Sequence, residues 1–107
     1  MPDDMIELAD DTFASGVADG VTVVEFYGAW CPPCRQLEPI LEAVAADYRG
    51  RAKVARINVD EHASSAIDNL VTDIPTLVFF KDGEEKGRKF GVQSSAALAA
   101  ELEKLLA

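Results

Sequence analysis

Apolar positions along the chain fall into runs whose spacing predicts where strands lie. Val21–Tyr27 and Thr76–Lys81 are almost continuously apolar and rich in β-branched or aromatic residues, which predicts two buried central strands. Residues 53–59 (KVARINV) predict a third buried strand, and residues 6–8 a short edge strand. Asp82-Gly83 is a tight-turn dipeptide, so residues 85–91 are predicted to return as the second strand of a hairpin.

A helical period replaces the strand pattern after Pro33. The apolar residues 37, 40, 41, 44 and 48 follow helical spacing, and Gly50 is predicted to end this helix. Proline is favourable in the first turn, where its missing N–H has no helical partner. Pro39 lies in mid-helix, where proline removes a hydrogen bond, and therefore predicts a kink.

Three shorter helices are predicted elsewhere. The first would be capped by Asp10, would bury Phe13 and Val17, and would close at Gly20. Residues 64–70 predict a weak helix. The last helix would be capped by Ser94 or Ser95 and would align the leucines 98, 102 and 105 on one face.

The predicted order of elements is β-α-β-α-β-α-β-β-α, which indicates an α/β fold. Strands that alternate with helices imply a mainly parallel sheet with helices on both faces, and the final hairpin makes the sheet mixed. The chain contains no repeat, low-complexity tract or linker composition. With 107 residues, it is predicted to form a single domain over residues 1–107.

Composition and charge narrow the classes of function. The chain is 49% hydrophobic and 27% charged, with a net charge of −9. This balance is typical of a globular protein and argues against partners that are nucleic acids or anionic membrane surfaces. Neither a signal-peptide pattern nor an apolar run of membrane-spanning length is present, so we expect a cytoplasmic protein.

Both cysteines, Cys31 and Cys34, lie in the stretch AWCPPCRQ, where a predicted strand gives way to a helix. A metal site, a structural disulfide and a redox dithiol are the three alternatives. Zinc needs about four N or S ligands, and with His62 as the single histidine it would require a dimer. His62 is otherwise expected to be a solvated loop residue, and a structural disulfide is uncommon in a reducing cytosol.

Helix geometry favours the redox dithiol. A helix N-terminus stabilises an anion, and thiols placed there have lowered pKa values. Cys31 is therefore predicted to be an exposed nucleophile. Cys34 lies about one helical turn further on and is predicted to resolve the mixed disulfide on Cys31. Pro33 starts the helix, and Pro32 fixes φ and removes one N–H near the sulfur.

The stretch VVEFYGAWCPPC resembles the active-site strand and turn of the thioredoxin family. The resemblance continues in the same order through RQLEPIL, ARINVD, DIPTLVFFKDG and FGV, with a similar spacing between Cys34 and Pro75. It implies the thioredoxin fold and the activity of a protein-disulfide reductase. It also implies a monomer with no bound cofactor, whose partners are disulfide-containing client proteins and thioredoxin reductase, with NADPH as the electron source.

The resemblance also assigns roles to individual residues. It implies a cis Ile74–Pro75 bond that faces the dithiol. Glu25 stands where the family usually has Asp, so its role would be that of an acid/base for Cys34, whereas an arbitrary protein would more often place such a carboxylate at a solvated strand end. Arg56 would be a cation that tempers the charge of Glu25, or simply a strand residue that reaches solvent. Asp73 would disfavour acidic partners.

A contact surface for client proteins is expected around the dithiol. Trp30 is expected to be half-exposed and to shield the sulfur, and Gly91 to allow close approach of a partner backbone. The proposed contact residues are Trp30, Tyr27, Ile74, Phe90, Gly91 and Val92. The other phenylalanines, 13, 26, 79 and 80, are assigned to the core.

Two other classes of function remain open at the level of sequence. Cys-Pro-Pro-Cys differs from the commoner Gly-Pro pair, so an oxidase, an isomerase or a cytochrome-maturation type relative is one alternative. A non-enzymatic module that uses the fold for binding is the other, because fold alone does not determine function.

Overall fold

A five-stranded mixed sheet forms the centre of the protein, and the computed structural model describes residues 4–107. The strands are β1 (Met5–Leu8), β2 (Val21–Tyr27), β3 (Lys53–Asn58), β4 (Thr76–Lys81) and β5 (Glu84–Phe90). Their order across the sheet is β1-β3-β2-β4-β5. β1, β3 and β2 run parallel, whereas β4 is antiparallel to both β2 and β5.

Four helices cover the two faces of the sheet: α1 (Phe13–Val17), α2 (Pro32–Asp47), α3 (Ala63–Asp68) and α4 (Ser95–Leu106). On one face, Leu37 and Leu41 of α2 and Leu98 of α4 pack with Leu77 and Val23 of the strands. The opposite face buries Phe13 and Val17 of α1 against the sheet, with Ala66 of α3 at its margin. The predicted α/β fold with helices on both faces is confirmed, and so is the assignment of the four phenylalanines to the core.

The ends of several elements differ from the prediction. The N-cap of α1 is Thr12, whose side chain makes no capping bond, rather than Asp10. The Asp10 carboxylate instead accepts hydrogen bonds from the backbone N–H and the hydroxyl of Ser65, at 2.9 and 2.7 Å. The Asp10 carboxylate thus satisfies an N–H group of α3, a helix that is distant from it in sequence. Rules for local helix capping do not predict such a contact.

His62 is also more engaged than expected of a solvated loop residue. It is the N-cap residue of α3, its side chain is partly buried, and its Nδ1 atom accepts a hydrogen bond from the backbone N–H of Asp10 at 3.3 Å.

α2 begins at Pro32, one residue earlier than predicted, and ends at Asp47 with Tyr48 as the C-cap. Gly50 lies beyond the helix with φ of 82°, in the left-handed region that glycine favours. Pro39 is inside this uninterrupted helix, and the kink there stays a prediction. Ser94 caps α4, because its hydroxyl oxygen accepts a hydrogen bond from the backbone N–H of Ala97 at 3.1 Å.

Candidate active site

The two cysteines form a disulfide at the N-terminus of α2, with their Cα atoms 5.2 Å apart. Cys31 is the N-cap residue, and its sulfur accepts a hydrogen bond from the backbone N–H of Cys34 at 3.3 Å. Pro32 and Pro33 fill the first two helical positions, where neither contributes an N–H. The Cys31 sulfur therefore lies at the positive end of the helix dipole, where a thiolate would be stabilised.

Exposure around the disulfide differs from the prediction. In the disulfide form, Cys31 is only 5% exposed and Cys34 only 3%. Trp30 is 89% exposed rather than half-exposed. Its ring is flanked by the Arg35 guanidinium at 5.8 Å, and that guanidinium also donates a hydrogen bond to the Ala29 carbonyl. Most of the Trp30 ring is thus available to a partner.

The loop before β4 and the loop after β5 meet near this turn. The Ile74–Pro75 peptide bond is cis, and the Pro75 carbonyl accepts a hydrogen bond from the Gly91 N–H at 3.0 Å. Gly91 has φ of 76°, which favours glycine. The side chains of Ile74, Phe90 and Val92 are exposed, which leaves an apolar surface at this end of the sheet.

Gly28 directly follows β2 and lies against the Ile74 side chain of this surface. A Cβ atom on Gly28 would lie 2.8 Å from Cδ1 of Ile74 and 3.3 Å from a carboxylate oxygen of Asp60. Real Cβ atoms essentially never approach another heavy atom to 2.8 Å, so the end of the Ile74 side chain would have to turn away if residue 28 carried a side chain. The sequence marks Gly28 as the end of a strand and gives no sign of this contact.

Glu25 is buried in the middle of β2, beneath α2. It pairs in register with Leu77 of β4, which belongs to the core formed with α2 and α4. Glu25 is 1% exposed, and neither carboxylate oxygen has a hydrogen-bond partner. Burial raises the pKa of Glu25 to about 7; nearby Arg56 opposes this shift, whereas Glu38 and Glu7 add to it. The group can therefore hold or release a proton near neutral pH.

Arg56 and Tyr27 lie beside Glu25, and two further carboxylates, Glu7 and Glu38, lie close to them. The Arg56 guanidinium lies 3.8 Å from the centroid of the Tyr27 ring and within 4 Å of both Glu7 and Glu38. The Tyr27 hydroxyl donates a hydrogen bond to Glu7 at 2.7 Å. The Tyr27 hydroxyl thus reaches across β3 to β1 and joins the charged cluster beside Glu25, and the expected place of Tyr27 in the client surface stays a prediction.

Sequence reasoning missed Glu7, Glu38, Arg35 and the packing role of Gly28. One signal was available for Glu38, which lies four residues after Cys34 and hence on the same face of the helix. Glu7 gives no such signal, because its neighbours depend on how β1 pairs with β3.

Within the part of the chain that the structure describes, no group of three or more His, Cys, Asp or Glu side chains could hold a metal ion. None of the helices over residues 4–107 is both long and apolar enough to cross a membrane.

Comparisons with known proteins agree with this geometry. The family model described as Thioredoxin matches residues 4–104. Thioredoxins of the Staphylococcus aureus strains Mu50, MW2 and N315 are each 41% identical over 102 residues, covering 95% of this chain and 98% of the relative. A disulfide-forming Cys-x-x-Cys at the start of a helix is thus found within a match that spans nearly the whole chain. The chain belongs to the thioredoxin family and is a thiol–disulfide oxidoreductase that acts as a protein-disulfide reductase.

Proposed function

We propose that Cys31 is the nucleophile, Cys34 the resolving thiol and Glu25 the acid/base for Cys34. The observation that carries the proposal is the placement of Cys31: its sulfur is at the helix N-terminus, bonded to the sulfur of Cys34 and hydrogen-bonded to the Cys34 N–H. Pro32 and Pro33 keep the turn between the two sulfurs rigid, since both have a fixed φ.

The reaction transfers two electrons from the dithiol to the client. In the reduced protein, the Cys31 thiolate attacks one sulfur of a client disulfide, and the second client sulfur leaves as a thiolate and takes a proton. Cys34 then gives its proton to Glu25 and attacks the Cys31 sulfur, which releases the first client sulfur as a thiolate, and this thiolate takes the proton back from Glu25. The client gains two thiols, and the protein is left with the Cys31–Cys34 disulfide.

Clients are proposed to bind to the apolar surface beside the disulfide, formed by Trp30, Ile74, Phe90, Gly91 and Val92. Ile74 precedes the first paired residue of β4, Thr76, so its backbone is free of the sheet pairing. An extended client segment can therefore pair with Ile74 as an added strand. The exposed side chains supply apolar contact with little demand on client sequence, which suits a protein that reduces many clients.

The remaining partners follow from the family. Thioredoxin reductase would restore the dithiol with electrons from NADPH, and no cofactor would be bound by the chain itself. We further propose that residues 1–107 act as a single domain, as a monomer, in the cytoplasm. Support comes from the family match over residues 4–104 and from the net charge of −9, which favours a dispersed protein.

Trapping of the mixed disulfide tests the cysteine roles. Cys34→Ser should accumulate a covalent complex with insulin or a disulfide-bonded peptide through Cys31, because no resolving thiol remains. Cys31→Ser should form no such complex and should reduce insulin at the uncatalysed rate. A complex that forms equally through Cys34 in the Cys31→Ser protein would reverse the assignment. A reduction potential of about −270 mV would agree with a reductase, and one of about −120 mV with an oxidase.

A further inference from the structure

Three charged residues form a row across the sheet on the face covered by α2. Glu7 of β1 pairs in register with Arg56 of β3, and Arg56 pairs in register with Glu25 of β2. Directly opposite residues on neighbouring strands project to the same face. The row therefore runs from an exposed carboxylate through a guanidinium to a buried carboxylate, and Leu77 of β4 continues it as an apolar residue.

Arg56 lies between Glu7 and Glu25 in the row, and it is within ion-pair distance of Glu7 but not of Glu25. Its Nε atom is 3.6 Å from Glu7, and its Nη1 atom is 3.7 Å from Glu38 of α2. Among the ion pairs within residues 4–107, none joins Arg56 to Glu25. The guanidinium thus faces the more exposed carboxylates of Glu7 and Glu38, which are called the rim here. The buried carboxylate of Glu25 lies next to it in the row and has no hydrogen-bond partner.

Tyr27 contacts both Arg56 and Glu7. Its ring packs against the guanidinium at 3.8 Å, and its hydroxyl donates a 2.7 Å hydrogen bond to Glu7. Burial and the Glu7 carboxylate raise the pKa of Tyr27 to about 12, so the hydroxyl remains a donor throughout the physiological range. Glu7 is therefore held by the hydrogen bond from Tyr27, and it lies within ion-pair distance of Arg56, whose Nε atom is buried and makes no hydrogen bond.

We propose that Glu7 is a positioning residue for proton transfer at Glu25: together with Tyr27 it keeps the Arg56 guanidinium at the rim and out of ion-pair contact with Glu25. The proposal rests on the proposed role of Glu25 as the acid/base for Cys34. A direct Arg56–Glu25 pair would hold Glu25 in its charged form and weaken its ability to carry the proton of Cys34. The charged groups that act on Glu25 are Arg56 from β3, Glu7 from β1 and Glu38 from α2.

The test is the titration of Glu25 in Glu7→Gln, followed by the carboxyl carbon signal in NMR spectra of the folded protein. Without the Glu7 charge, Arg56 keeps one carboxylate at the rim and can turn toward Glu25. The Glu25 midpoint should then fall by about one pH unit or more. Tyr27→Phe, which keeps the ring and removes the hydrogen bond to Glu7, should shift the midpoint in the same direction by a smaller amount.

Two further variants separate positioning from other effects. Glu84→Gln is the matched control, because Glu84 lies on the opposite edge strand and is also paired with a cation, Lys86. It should leave the Glu25 midpoint unchanged. In an Arg56→Gln background, Glu7→Gln should move the midpoint much less than it does in the wild-type background, because no guanidinium remains to be repositioned.

The outcomes distinguish this inference from the role of Glu25 itself. A Glu25 midpoint that is unchanged in Glu7→Gln, or that shifts equally in both backgrounds, overturns the positioning role. If the midpoint falls but the pH profile of insulin reduction does not move, positioning stands and the acid/base role of Glu25 is wrong. If both move to lower pH together, both are supported.

Discussion

At the scale of single residues, the buried carboxyl of Glu25 makes stability depend on pH. Its pKa of about 7 in the folded protein lies above the ordinary value of 4.5, so the folded state binds its proton more tightly than the unfolded state. Stability from this group is therefore complete below pH 4.5 and falls as pH rises toward 7. Above pH 7 the cost of the buried charge is about 3 kcal/mol.

Glu25→Gln should remove that cost. The variant should be more stable than wild type by about 3 kcal/mol at pH 8, and the difference should vanish near pH 4, as measured by urea unfolding of the disulfide form. Thr22→Val is the matched control, because the Thr22 hydroxyl is also buried without a partner but does not titrate. Its effect on stability should be the same at both pH values. A Glu25→Gln gain that is equally independent of pH would contradict the raised pKa.

Glu25→Gln also tests the proposed proton transfer from Cys34 to Glu25. Glutamine cannot accept the Cys34 proton, so Glu25→Gln should reduce insulin about tenfold or more slowly near pH 7, where general acid–base catalysis contributes. An unchanged rate across pH 6 to 8 would remove Glu25 from the mechanism.

At the scale of elements, continuous apolar runs determine where the strands lie. The local sequence does not determine which residues of neighbouring strands pair with each other. β2 and β4 have the predicted boundaries, Val21–Tyr27 and Thr76–Lys81, because nearly every residue in them is buried. The charged row, by contrast, depends on pairing between Glu7 and Arg56, which are far apart in sequence. No local pattern encodes that register, so Glu25 could be singled out from the sequence while the residues that hold Arg56 could not.

The junction between β2 and α2 gives a prediction at this scale. Gly28→Ala should displace Ile74, because the added Cβ would lie 2.8 Å from its Cδ1 atom. Because Cδ1 is the end of a partly exposed side chain that can turn away, we expect a loss in stability of less than about 1 kcal/mol. The KM for a disulfide peptide should also rise, with little change in the reduction potential of the cysteines.

Gly87→Ala is the control for this change. Gly87 is a glycine within β5, and a Cβ there would meet only a Glu101 carboxylate oxygen at 4.0 Å. This variant should have nearly wild-type stability and an unchanged KM. If the two variants raised KM equally, the effect would not come from Ile74.

At the scale of the whole molecule, three chain connections that are distant in sequence meet at one end of the sheet. The turn after β2 carries the disulfide, the loop before β4 carries the cis bond, and the loop after β5 donates the Gly91 hydrogen bond to Pro75. Charges border the apolar surface that results. Asp60 and Asp73 lie near Ile74, and Arg35 lies over Trp30. In a chain with a net charge of −9, we expect this border to favour basic client segments.

Charge selection among clients can be measured with two peptides that contain the same disulfide, flanked by either lysines or aspartates. Asp73→Asn should raise the rate for the acidic peptide relative to the basic one by about two- to fivefold at low salt, because one repulsive charge beside Ile74 is removed. The difference should shrink at about 0.5 M salt, where exposed charges are screened. Asp19→Asn is the matched control: Asp19 is also exposed and the net charge changes equally, but it precedes β2, at the end of that strand opposite to the disulfide. An equal effect of both variants would mean that total charge selects clients, and no effect of Asp73→Asn would exclude Asp73 from the contact surface.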